Sequence, residues 1–183
     1  MSILILGILL WVLPHLFKRL APRRHLMMMP QIKAMVAGFV LVGVVLMVIG
    51  YRMADVVPIY SPLPGMGHAN NTLMLISIYL FGVSGARSVL IDKIRHPMLW
   101  GMVIWSVSHL LVNGDLSSIV LFGALGLWAV GEMVLINRAG PWKRPKPGKL
   151  LGDLKNLIGT ALVYGVITWI HSLLGHNPFL GSY

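Results

Sequence analysis

The stretch RHPMLWGMVIWSVSHLLVNGD, Arg95–Asp115, decides how the rest of the chain is read. It opens on a basic pair, becomes apolar at Pro97, and ends on Asn113-Gly114-Asp115. Proline is tolerated at the first helical position because its missing N–H is one that the first turn leaves unpaired anyway. Asn-Gly-Asp supplies turn chemistry, with Asp115 placed to cap whatever helix follows. An apolar helix between a basic loop and a polar turn is the pattern of a membrane span, and His109 sits inside it. An ionisable side chain within a bilayer is costly, so it usually faces the interior of a helix bundle and marks function.

Working outward, the 183-residue chain is 57% hydrophobic and only 11% charged, which fits an integral membrane protein and not a water-soluble domain. Apolar runs of helix length recur at about 2–17, 34–51, 70–86, 97–113, 116–137 and 156–174. Six runs predict an all-α, six-span bundle forming one domain over residues 1–183, since no stretch separates a second unit. The first run precedes its basic residues instead of following them, so it reads as a retained helix and not a cleaved leader. Glycines 38, 43 and 50, 82 and 85, and 123, 126 and 131 offer small positions for close helix approach, and a compact bundle is expected.

The basic residues sort sharply between the two ends of these helices. The connections after the first, third and fifth runs hold Lys18, Arg19, Arg23, Arg24 and Lys33; Arg87, Lys93 and Arg95; and Arg138, Lys143, Arg144, Lys146, Lys149 and Lys155. Only Arg52 falls on the other side. The positive-inside rule then makes those three connections cytoplasmic and puts both termini outside, in a bacterial inner membrane on the periplasmic side. The net charge of +10 belongs to this topology and to contact with the lipid bilayer, and no soluble domain exists to present it to nucleic acid. The proline-rich segment Val56–Asn71 is an outer loop able to act as a lid, and Arg138–Lys149 a basic inner one.

There is no cysteine, which excludes disulfides, thiolate ligands and covalent haem attachment, so metal chemistry must rest on His, Met, Tyr or carboxylates. Of seven histidines, His15, His109 and His171 lie within spans. His109 is about 18 Å into its helix on a stripe with Met102, Trp105 and Asn113. His171 is about 22 Å into the last helix on a stripe with Thr160, Tyr164 and Thr168. His15 lies near the inner end, where Glu132 is placed to hydrogen-bond it or to pair with an arginine. Neutral imidazole is a ready ligand for iron, and an aromatic-flanked bundle core suits haem; the plain alternative is that each histidine bonds a neighbouring helix. The tryptophans read as packing or interface anchors. Met27–Met29 lack the neighbours of a copper site, and the nucleotide, phosphate and hydrolase fingerprints are absent.

RHPMLWG with IWSVSHLLVNGD, together with PHLFKRLAPR (Pro14–Arg23), resembles the NnrU family of bacterial membrane proteins, over nearly the whole chain through Gly140. That resemblance implies a link to denitrification and nitric oxide metabolism. The same residues are similar to plant zeta-carotene isomerase, which isomerises a polyene and binds haem b. Its haem-ligand histidines fall on His15 and His109. Ser106 stands where the isomerase has a cysteine, so a thiol ligand is not available here. By depth alone His15 and His109 differ by roughly 14 Å, whereas His109 and His171 match, which keeps the second pair as an alternative. RHP also resembles the opening of membrane methyltransferases of the isoprenylcysteine class, implying cofactor contacts at Arg95 and His96. A third expectation is an accessory protein of a respiratory complex, with a respiratory-chain partner.

Overall fold

The computed structural model describes residues 1–179, with the backbone alone for His25 and Leu26. Seven helices form: α1 Ser2–Leu20, α2 Pro22–Met27, α3 Pro30–Arg52, α4 Met66–Ala86, α5 Pro97–Val112, α6 Leu116–Ala139 and α7 Leu150–Leu173. No strand occurs among the described residues, only an isolated bridge between Pro58 and Asp115. The all-α expectation holds, and the protein is a membrane protein. Helices α1, α3, α6 and α7 are long and apolar enough to cross a bilayer; α5 is apolar but has 16 residues. In α4 the polar His68, Asn70, Asn71 and Thr72 dilute the first turns.

The apolar runs all become helices, but several are longer than expected. Helix α3 starts at Pro30, α4 at Met66 and α7 at Leu150, each ahead of the apolar run, because polar residues in a first turn do not interrupt backbone bonding. Pro30 and Pro97 both occupy the start of their helices. The segment expected as an outer loop over Val56–Asn71 is therefore a loop only up to Gly65, whose φ of 82° opens α4.

The helices pack in the order α3, α1, α6, α5, α4, α7. Among the described residues α3 and α7 do not meet, so the expected compact bundle is instead an open row. The physical reason lies in the solvent. Lipid tails are as apolar as leucine, so nothing drives closure, and helices associate only where small residues or polar bonds join them. Such features join neighbours in the row. Gly7, Gly43 and Gly50 let the backbones of α1 and α3 approach closely. Ser77 donates to the Gly101 carbonyl (2.8 Å) and Ser108 to Asn70 Oδ1 (2.6 Å), joining α4 to α5. Asn156 donates to the Tyr79 carbonyl (2.9 Å), and its side chain occupies the space beside Gly82, joining α7 to α4.

Cross-links tie the connections at each end of the row. At one end, Arg19 pairs with Glu132, Arg95 with the carboxyl end of α6, and the Lys149 amide with the Arg87 carbonyl, so the three basic connections lie together. At the other, the loop before α4 crosses the α5–α6 turn. The Ile59 and Tyr60 amides donate to the Gly114 carbonyl (2.8 and 3.1 Å), and the Leu116 amide to the Val57 carbonyl (2.9 Å). Arg52 falls at this second end. The C-terminus, expected on the outer side, falls on residues 180–183, outside the described residues.

Asp115 caps α6 as its sequence context suggests. It accepts from the Ser118 amide (2.9 Å) and hydroxyl (2.5 Å), and from the Ser117 hydroxyl. Burial pushes its carboxyl up, but these hydrogen bonds outweigh burial and hold it below the usual aspartate range. A depressed folded pKa means that its contribution is complete above the ordinary aspartate value and is lost as pH falls through the folded one. Asp115→Ala is expected to cost about 1 kcal/mol at neutral pH. Thermal melts of wild type and variant should differ at pH 7 and converge towards strong acid; equal melting at pH 7 would remove the cap's role.

Candidate functional site

The half of the row that carries the α5–α6 turn holds an aromatic cluster around His109. Its ring stacks on Phe122 of α6 (centroids 4.4 Å apart, 25° between planes), and Trp105 packs beside both rings at 4.9 Å. Tyr51 of α3 closes the far side of Phe122 at 6.0 Å and shares a hydrogen bond with Ser118 (2.8 Å). Leu121, Leu125, Met47, Leu4 and Ile8 form the buried core below. Over the end of α5, the Tyr60 hydroxyl donates to the Asn113 carbonyl (2.9 Å) and to that of Leu110, so the loop before α4 is fastened down. Burial and the neighbouring Asp115 charge both push the Tyr60 phenol up, which keeps it a donor.

His15, His109 and His171 share one local geometry. In each, Nδ1 lies within hydrogen-bond distance of the carbonyl four residues earlier: Trp11 (2.6 Å), Trp105 (3.0 Å) and Ile167 (2.8 Å). A carbonyl can only accept, so Nδ1 carries the proton and Nε2 is left with its lone pair. Metal-ligating histidines are oriented in this way, by giving the other ring N–H to a carbonyl.

The three histidines do not converge. Among the described residues, helices α5 and α7, which carry His109 and His171, do not pack on one another; each packs on α4. His171 is exposed on the carboxyl half of α7, where Trp169 is 63% exposed and the helix stands largely clear of its neighbours. The expected stripe is present, with the Thr168 hydroxyl donating to the Tyr164 carbonyl (3.0 Å), while Tyr164 packs edge-on to Phe179 at 6.4 Å. His15 lies elsewhere, packed between Trp11 and Trp128 at 4.8 and 5.1 Å. Its neighbour Trp128 is six residues beyond Phe122 on α6, about 9 Å along the helix. Between the two clusters lies the leucine and methionine core.

Arg95 and His96 are committed to helix ends. The Arg95 guanidinium donates to the carbonyls of Gly140 (2.7 Å) and Ile136 (3.3 Å), and His96 bonds Asn137 Oδ1 (2.9 Å). A cation on the last carbonyls of α6 complements the negative end of the helix dipole. Of the two partners foreseen for Glu132, the arginine takes it: Arg19 Nε to Oε2, 2.7 Å.

Sequence reasoning passed over Phe122 and Tyr51, which nothing distinguishes from other aromatics in apolar helices. It also passed over Asp153, a buried carboxylate in the first turn of α7 that accepts from Tyr79 (2.6 Å) and Ser88. A carboxylate among leucines, in LLGDLK, was the available signal.

A row of apolar helices with lipid-ready outer faces, two of its histidines packed in aromatic clusters, defines a polytopic helical membrane protein. The family model described as "NnrU protein" matches residues 3–178. The chain therefore belongs to the NnrU family. No curated protein and no solved structure matches it.

Proposed function

We propose that this NnrU-family protein crosses the bacterial cytoplasmic membrane six times, basic connections inside, and binds b-type haem through His109, with His171 as the second ligand, in a redox role linked to nitric oxide metabolism. The observation that carries the reading is His109 itself. It is a membrane-embedded imidazole with its proton given to the Trp105 carbonyl, its Nε2 lone pair left over, and an aromatic wall beside it.

The residues present suit the group. His109 and His171 would each offer an Nε2 lone pair to the iron, their Nδ1 protons being given to backbone carbonyls. His109 and His171 sit on the two helices that flank α4, and the exposed carboxyl half of α7 leaves room for a planar macrocycle. His15 is separated from His109 by packed core, so it is the less suited partner. A haem held by these residues would supply one-electron chemistry. The chain contributes the rest. The Trp105 carbonyl orients the ring of His109, Phe122 and Tyr51 keep water from it, and Tyr60 fastens the loop above. The isomerase-like and methyltransferase-like readings draw less support, the latter because Arg95 and His96 are occupied with α6.

The test is haem content by pyridine haemochrome on protein expressed in haem-replete cells. About one haem b per chain is expected in wild type, loss of most of it in His109→Ala and His171→Ala, and retention in His15→Ala. A colourless wild-type protein, or full haem in His109→Ala, would overturn the reading.

A further inference from the structure

The inner half of the α1–α6 contact holds polar groups that the haem reading does not use. Both helices run in the same direction, so Trp11, His15 and Arg19 on α1 descend beside Trp128 and Glu132 on α6, each one turn from the next. The three rings touch, with Trp11 edge-on to Trp128 at 5.4 Å. Glu132 is 2% exposed, and Arg19 satisfies one of its oxygens. The other oxygen, Oε1, has no hydrogen-bond partner among the described residues, and neither do the buried indole N–H groups of Trp11 and Trp128.

Three orphaned polar atoms at one helix contact are costly, since each buried group without a partner forfeits its hydration. Their chemistry is complementary and specific. Indole N–H only donates and so requires an acceptor on the ligand. Carboxylate Oε1 and His15 Nε2 only accept and so require a hydroxyl. Directly beside them lies an apolar groove of about 400 Å³, lined by Leu9, Val12 and Leu16 of α1 and by Ala124, Leu127 and Trp128 of α6. Trp128 belongs to both. Leu127 is 75% exposed, so the groove faces the lipid.

We propose that this cluster binds the head of a membrane quinol, with the alkyl tail lying in the α1–α6 groove. A quinol carries two hydroxyl groups on one flat ring. Each hydroxyl both accepts from an indole N–H and donates to the carboxylate or imidazole, and the ring packs among aromatic faces. An anionic lipid head would meet the free oxygen of Glu132 and be repelled. A plain hydrocarbon would leave all three atoms unpartnered.

The test uses full-length protein in nanodiscs, decylubiquinol as the probe, and ligand retained through rapid gel filtration, with empty nanodiscs correcting for partition. Saturable binding near one per chain is expected. Trp11→Phe and Trp128→Phe, which delete a donor and keep a ring, should each weaken it about tenfold, as should Glu132→Gln. The oxidised decylubiquinone, which cannot donate to Glu132, should bind more weakly than the quinol. Retention no greater than in empty nanodiscs, or affinity unchanged in both phenylalanine variants, would overturn the proposal, and the latter result stands even if Glu132→Gln misfolds. Haem content of the same samples is read separately, so either site can fail alone.

Discussion

Replacing Arg19 with alanine is expected to destabilise the protein by about 3 kcal/mol, the low end for breaking a buried ion pair. The low end applies because Arg19 is itself a third exposed, at 33%, and water already carries part of its charge. Glu132 has no such relief, since its side chain is 3% exposed and its second oxygen already lacks a partner among the described residues. Loss of Arg19 therefore leaves a carboxylate with neither counter-charge nor hydrogen bond in the core of α6. Neutralising that carboxylate should return much of the loss, so Arg19→Ala with Glu132→Gln is expected to be more stable than Arg19→Ala alone. Unfolding in a detergent titration reads both. A single variant as stable as wild type, or a double variant worse than the sum of its parts, would show that the pair does not hold α1 to α6.

Gly50→Ala is expected to cost about 2 kcal/mol and to loosen α3 from the row. A methyl carbon at position 50 would fall 2.7 Å from the Leu4 Cα and nearer still to the Leu4 amide, and backbone cannot step aside as a flexible side chain can. Gly7→Ala meets the Met47 amide at 2.6 Å and should behave alike. Helix α3 packs chiefly on α1, so separating these two backbones removes most of what holds α3 in place. The internal control is Gly38→Ala, where the added carbon meets nothing within 4 Å. That change should be neutral or slightly stabilising, because alanine is the better helix former. Equal effects at positions 38 and 50 would mean that the close approach of α1 and α3 does not matter to stability.

These glycines show what the sequence makes legible and what it does not. Small residues in apolar helices announced that close approaches exist, and Gly43, Gly50, Gly82 and Gly126 do make them. Gly38, Gly85, Gly123 and Gly131 do not, because a glycine's face is set by neighbours that sequence spacing alone does not identify. The same limit explains the open row. Local periodicity finds each helix, but the contact of α1 with α6 joins segments more than a hundred residues apart, and no local pattern encodes it. At the candidate site, His109 and Trp105 were readable as one helical face, and the inner polar group of His15, Arg19 and Glu132 followed from matching depth. Phe122, which His109 stacks on, was not readable, since an aromatic on an apolar helix has no signature of its partner. Helix starts were misplaced where polar residues such as Asp153 and Asn156 face a neighbouring helix instead of water.

The central claim is that His109 and His171 hold one iron between them. Electron paramagnetic resonance of the oxidised protein tests it most directly, because it reports the iron's axial ligands in the folded chain. The expected result is a low-spin bis-imidazole signal in wild type and in His15→Ala, giving way to a high-spin signal or to loss of haem in His109→Ala and in His171→Ala. A low-spin signal unchanged by both of the latter substitutions, or no haem signal in wild type, would contradict it.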